Sequence, residues 1–169
     1  SSAYGSMRDL MDDFDAPVIV GRALWPVVQA RTVGGTTVIN SAICVRTPDD
    51  IFEQWKREHG VDGLRARMLA AQDRIERELF VAEVPLPSRG RSNLLAQAGA
   101  EALGFPESHV MRRYVKDCAG AGQCLQGCRG RRKQSTNLNY VPETVARGGV
   151  VVSCAPVDRV LFERSRAIG

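Results

Sequence analysis

The sequence predicts an α/β chain, α+β-like in that several helices accompany a small and incomplete β-sheet. Three observations carry this. Over residues 64–80, Leu64, Met68, Ala71, Ile75 and Leu79 recur at helical spacing and share one face. Short β-branched runs stand apart from such patterns, chiefly Val150-Val151-Val152. Apolar residues make up 44% of the 169 and charged residues 25%, which lets residues 1–169 bury a core as a single domain.

The elements follow in order. Tyr4, Met7, Leu10, Met11 and Phe14 predict an amphipathic helix over 3–14, ended by Ala16-Pro17. Residues 18–21 read as a short strand, and Trp25-Pro26-Val27-Val28 as a buried apolar stretch. Thr47 can cap the next helix, Pro48 suits its first position, and Asp49-Asp50 complement the positive end of its dipole; Gly60 stops it. The helix over 64–80 follows, and then Val84-Pro85-Leu86-Pro87 forms an extended connector that cannot be helix. Ser92 caps a helix over 93–103 that Gly104 and Pro106 end, and a short strand is expected at 113–116.

A further helix opens at Ser135 or Thr136, runs through Val145 and closes at Gly148-Gly149. Residues 150–154 read as a buried strand, 157–163 as a half-buried strand and Arg164-Ser165 as a turn. Ala167-Ile168-Gly169 reads as the opening of another strand. A sheet this small keeps an exposed edge, so the chain is expected to pack with missing parts of the same fold.

Composition narrows the function classes. No run of 18 apolar residues is present, so no membrane span is expected, and the first residues show no signal peptide. The net charge is +4 and nearly all of the positive charge is arginine, with lysine only at 56, 116 and 133. The run Arg129-Gly130-Arg131-Arg132-Lys133 reads as a solvated surface loop, with an anion contact as the alternative. It lacks interleaved aromatics, so no nucleic-acid partner is expected. Five cysteines, three of them clustered, point away from a secreted disulfide scaffold and toward a reducing, cytoplasmic compartment.

Two segments carry chemistry. In residues 31–48, the pair Gly34-Gly35 lets backbone approach a ligand, Thr36 and Thr37 offer hydroxyls, and Asn40 stands about a turn further on. A purely structural Gly-Gly turn has the same local pattern. In residues 118–133, Cys118, Cys124 and Cys128 are separated by Gly120, Gly122 and Gly127. Three thiolates so placed can fold round a small inorganic centre, or bind zinc with His109, or be structural thiols. Cys44 and Cys154 read as buried and inert.

The stretch 31–48 resembles the flavin-contacting signature of the glucose–methanol–choline (GMC) oxidoreductases, Gly-Gly-Ser/Thr-x-x-x-Asn with a later arginine, here Gly34, Gly35, Thr36, Asn40 and Arg46. Asp50 to Trp55 resembles a further helix of that family, and Glu76 falls where its members end a helix in glutamate. Residues 133–149 followed by 151–163 resemble its helix–strand–strand return into the flavin domain. The likeness is greatest to the long-chain alcohol oxidase branch.

The resemblance implies part of a Rossmann-like FAD-binding domain. Val33, Gly34, Gly35 and Thr36 would lie against the FAD, Asn40, Ser41 and Ile43 would border its isoalloxazine ring, and Val157 would grip the adenine end. It implies oxidation of an alcohol substrate by hydride transfer to FAD, with an electron-acceptor protein as a further partner. The Gly-x-Gly-x-x-Gly turn of the family does not occur here, and His59 and His109 match none of its catalytic positions. No catalytic residue is therefore assigned, and the chain by itself is expected to be inactive. The cysteine spacing looks like that of GMC relatives among bacterial FAD-dependent glucose dehydrogenases, which implies a [3Fe-4S] cluster on Cys118, Cys124 and Cys128; Arg129 departs from their pattern. The alternatives are an electron-transfer or metal-binding module on these cysteines and a non-catalytic scaffold.

Overall fold

The computed structural model describes residues 2–12, 17–105 and 109–169. Phe14, Ala16 and Pro106, which figure in the expected helix boundaries, lie outside the described residues. Helix α1 (Ala3–Leu10) starts where the Ser2 hydroxyl accepts the Gly5 N–H at 3.0 Å. Strands β1 (Val18–Val20) and β2 (Leu24–Pro26) pair antiparallel as a hairpin. Next come α2 (Asp49–His59), α3 (Leu64–Glu78), β3 (Val81–Glu83), α4 (Arg91–Ala102) and β4 (Arg112–Tyr114). Helix α5 (Tyr140–Ala146) and the hairpin β5 (Phe162–Glu163) with β6 (Arg166–Ala167) complete the order. The described sheets are three antiparallel pairs, β1–β2, β3–β4 and β5–β6, beside the helices.

Local signals place the helices well. Pro48 takes the N-cap of α2, one residue after the expected Thr47, and Asp49 and Asp50 fill the first turn. Gly60 ends it in the left-handed conformation, φ 65°. Phe52 is the buried residue of α2 and meets Trp55 edge to face, ring centroids 5.8 Å apart. Helix α4 begins at Arg91 behind Gly90, so Ser92 lies inside its first turn and does not cap it. Leu86 and Pro87, expected in an extended connector that cannot be helix, instead fall in one turn of 3₁₀ helix, Leu86–Ser88.

The core forms where β4 gathers its neighbours. Ala42, Val81, Tyr114 and Val115 are buried together, and Cys44, Leu79 and Cys118 pack against them. Strand β3 pairs with β4 in register Val81–Tyr114, Ala82–Arg113 and Glu83–Arg112. Segment 42–44 joins the same strand, Cys44 N–H to Arg112 O at 2.9 Å and Tyr114 N–H to Ala42 O at 3.1 Å. Segment 132–134 meets its far end, Lys116 N–H to Arg132 O at 2.8 Å and Gln134 N–H to Tyr114 O at 2.9 Å. Strand β4 thus brings the glycine-turn segment and the end of the cysteine loop into one frame.

The C-terminal segment differs from expectation. Residues 150–154 form no strand and are exposed, Val150 at 85%, and Cys154 is exposed too. An apolar run becomes a buried strand only beside a partner ladder, and 150–154 has none among the described residues. Of 157–163 only Phe162–Glu163 is strand; it turns at Arg164-Ser165, as expected, onto Arg166–Ala167. Trp25, expected to be buried, is 68% exposed in β2. No described helix is long and apolar enough to cross a membrane.

Candidate functional site

The turn at Gly34-Gly35 is built from backbone that only glycine adopts without strain, φ 98° and 56°. It leads into one turn of 3₁₀ helix, Gly35–Val38, and then to Asn40. A pair of threonines from distant parts of the chain locks it. Thr37 Oγ1 donates to Gly34 O at 2.5 Å, Thr136 Oγ1 donates to the same oxygen at 2.9 Å, and the Thr136 N–H donates to Thr37 Oγ1 at 3.1 Å.

The two glycines face different surroundings. A Cβ on Gly34 would stand 2.9 Å from Asn137 Cβ and 2.9 Å from Val38 Cγ2, so this side is closed by the chain itself. A Cβ on Gly35 would meet nothing within 4 Å. The open side is flanked by exposed Val33 and Thr36, and the Thr36 hydroxyl accepts the Ala30 N–H at 3.3 Å.

Further along, the Asn40 Oδ1 accepts the Ala42 N–H at 3.0 Å and the Tyr114 hydroxyl. Ser41 is half-buried, and exposed Ile43 lines a cleft of about 330 Å³ with Val84, Arg89, Asn93, His109 and Arg113. Val33, Gly34, Gly35, Thr36, Asn40, Ser41 and Ile43 thus lie on one stretch of chain that buried Val38, Ile39 and Ala42 interrupt, and of these seven only Ile43 lines the cleft. Val157 does not join them by any described element: it is 84% exposed, and the hydrogen bonds of its region run from Leu161 to Gly169 and back.

The residue that sequence reasoning missed is Lys133. Expected in a solvated loop, it is 1% exposed. Its Nζ donates to Val38 O at 2.6 Å, Asn40 O at 2.8 Å and Cys124 O at 2.7 Å, so three ammonium hydrogens meet three carbonyls. Burial lowers its pKa to about 8, and it remains an ammonium at neutral pH. A signal was present: it is one of only three lysines in an arginine-rich chain. The other basic residues of the run, Arg129, Arg131 and Arg132, are exposed as expected.

Lys133 ties the cysteine loop, through the Cys124 carbonyl, to the segment carrying Val38 and Asn40. Cys118 Sγ accepts the Gly120 N–H at 3.4 Å, Cys128 Sγ accepts the Lys133 N–H at 3.3 Å, and Arg113 stands 4.0 Å from Cys124 Sγ. Each thiol has its own local partner, and no described group of three His, Cys, Asp or Glu side chains comes together as a metal-holding set. The structure thus gives no support to the expected iron–sulfur or zinc centre on Cys118, Cys124 and Cys128, with or without His109. All five cysteines are free. Cys44 is half-buried, and burial followed by nearby Glu76 pushes its thiol up, in keeping with an inert residue.

The motif arginine and the helix glutamate meet. Arg46 grips Glu76 through Nε at 2.8 Å and Nη2 at 2.7 Å and also reaches Asp73 at 2.6 Å; Arg112 adds a bond to Glu76 at 2.7 Å. Arg46 above all, with Arg112, holds the Glu76 carboxyl near pKa 2 against the opposing effect of burial. Because that value lies below the ordinary 4.5, the stabilisation is complete above pH 4.5 and is lost as pH falls through 2. Glu76→Gln should cost about 2 kcal/mol at neutral pH, after allowance for solvent screening of the two arginines. The same variant should flatten the stability profile between those two pH values in acid-titrated unfolding.

A family model described as GMC oxidoreductase matches residues 18–169. An uncharacterized GMC-type oxidoreductase of Mycobacterium tuberculosis is 35% identical over 159 residues, covering 91% of this chain and 24% of its own. A long-chain-alcohol oxidase of Arabidopsis thaliana is 24% identical across 82% of this chain and 18% of its own. An oxygen-dependent choline dehydrogenase of Pseudomonas syringae pv. tomato is 26% identical across 83% of this chain and 27% of its own. The chain thus spans about a quarter of the length of the mycobacterial relative. No solved structure matches.

Proposed function

Because the chain belongs to the GMC oxidoreductase family, we propose that it is an FAD-binding segment of an enzyme oxidising primary or secondary alcohols, with the 169 residues inactive by themselves. The observation that carries this reading is the asymmetric glycine turn. Gly34 is fastened to the protein by Thr37, Thr136 and Asn137, while Gly35 presents bare backbone to open space beside Val33 and Thr36. The left-handed φ of 56° at Gly35 already favours glycine, and what supports the reading is that this backbone also has open space beside it in the segment that resembles the family's flavin signature. Asn40, Ser41 and Ile43, further along the same stretch of chain, would border the ring.

Bound FAD would supply the hydride acceptor for an alcohol carbon. The chain's own contribution is positional: it presents backbone and short side chains to the cofactor at a segment fixed by hydrogen bonds. The relatives named for long-chain alcohols and for choline support a CH–OH donor. The electron acceptor, oxygen or a partner protein, and the remaining parts of the fold complete the proposed cycle.

The test uses the full-length protein that carries this chain. It should purify with a blue-absorbing flavin that an alcohol bleaches in the absence of oxygen, and Gly35→Ala should retain tenfold less flavin. The stability cost of that change should be only about 1–2 kcal/mol, the penalty of a Cβ in the left-handed region. Full flavin retention by Gly35→Ala would sink the reading. The isolated 169 residues, which lack a Gly-x-Gly-x-x-Gly turn, should hold FAD weakly; stoichiometric retention in gel filtration would contradict this.

A further inference from the structure

We propose that Lys133 is a positioning residue whose charge, relayed through the backbone of residues 38–41, favours the reduced form of the flavin; this rests on the reading above that the segment borders the ring. Its three hydrogen bonds bind Val38 and Asn40, on the segment itself, to Cys124 on the cysteine loop. A clamp alone does not need a cation. A buried amide would donate to two of the three carbonyls and spare the fold the desolvation of an ion.

Here the ion is kept, and no described carboxylate pairs with it: its hydrogen-bond partners are three carbonyl oxygens. The three carbonyl dipoles compensate the charge only in part, and with no described carboxylate paired to it, its field reaches the surroundings.

The direction of that field follows from connectivity. The Asn40 carbonyl held by Nζ belongs to the peptide unit whose N–H is on Ser41. Drawing electron density toward the ammonium makes that N–H a stronger donor. The Val38 carbonyl belongs likewise to the peptide unit of Ile39, whose N–H is spent on Thr36 O at 3.2 Å. Ser41 is therefore the outlet toward a ligand. A hydride delivers two electrons and one proton to the ring and leaves one negative charge on it, which a strengthened donor and a nearby cation both stabilise.

The titratable groups facing Nζ are few. Cys124 and Cys128 lie close enough to interact with it electrostatically, and beyond Asn40 stands the Tyr114 phenol, pushed up to about 12 by burial. Arg113, beside Cys124 Sγ, is the neighbouring permanent charge.

The experiment measures the flavin midpoint potential of the full-length, flavin-loaded protein against a reference dye, relative to free FAD at the same pH. Lys133→Gln keeps two N–H donors and removes the charge; Lys133→Arg keeps the charge. The glutamine variant should bind reduced relative to oxidised flavin about tenfold less well, a potential lower by about 30 mV for two electrons. The arginine variant should stay near the wild type. Equal potentials in all three proteins overturn the proposal and leave the flavin reading standing, whereas a wild type without flavin overturns both.

If Lys133→Gln fails to hold flavin, the wild type answers instead. As the ammonium deprotonates above neutral pH, its potential relative to free FAD should fall by a similar amount. The fall should persist with Cys124 and Cys128 both changed to serine, and a flat difference would overturn the proposal.

Discussion

Replacing Lys133 with methionine is expected to lower stability by about 3 kcal/mol, close to the largest loss available from a single side chain of this core. Methionine fills much the same volume, so the loss is not one of packing. It comes from three carbonyls, Val38, Asn40 and Cys124, that would stay buried without their donor. Each stranded acceptor costs about 1–3 kcal/mol, and removing a buried cation returns part of the total. The control is Lys116→Met. Lys116 is exposed and its Nζ lies 4.4 Å from the Phe80 ring centroid, so its replacement should cost less than about 1 kcal/mol. Urea midpoints of the two variants decide the matter, and equal shifts would show that Lys133 is not the brace described above.

What could be read from the sequence divides along the range of the interactions. Helices α2 and α3 were legible because their signals are local: acidic residues at Asp49-Asp50, a glycine stop at Gly60, and apolar residues at helical spacing. The glycine turn was legible for the same reason. Which of its glycines is closed and which open was not, since the answer depends on Thr136 and Asn137, Thr136 being 102 residues away in sequence.

Lys133 was hidden in the same way. A lysine in a basic run is ordinarily solvated, and only the meeting of three carbonyls from two segments makes its burial affordable. The valines at 150–152 err in the opposite direction. Their composition fits a buried strand, but burial is a property of the pair, and no described strand stands beside them. The cysteines show the limit of spacing as evidence, because closeness in sequence at 118–128 does not bring three ligating side chains together among the described residues.

Gly34→Ala should cost about 3–4 kcal/mol, well above the effect of the same change one residue later. Two separate penalties contribute. A left-handed backbone costs a residue with a Cβ about 1–2 kcal/mol, and Gly34 has φ 98°. The new methyl would also stand 2.9 Å from Asn137 Cβ, 2.9 Å from Val38 Cγ2 and 3.1 Å from the Asn137 backbone nitrogen. Forcing it in costs roughly 1–3 kcal/mol more, because the Thr37 and Thr136 hydroxyls fix the backbone on both sides of the contact.

The two penalties can be separated. Combining Gly34→Ala with Asn137→Gly removes one clashing methylene and leaves the backbone strain, so the double variant should be more stable than the two single changes added together. The same pair of substitutions at Gly35 should show no such coupling, because nothing stands within 4 Å of a Cβ there. Equal losses for Gly34→Ala and Gly35→Ala would mean that the turn has no closed side. The bare backbone at Gly35 would then carry no information about a ligand.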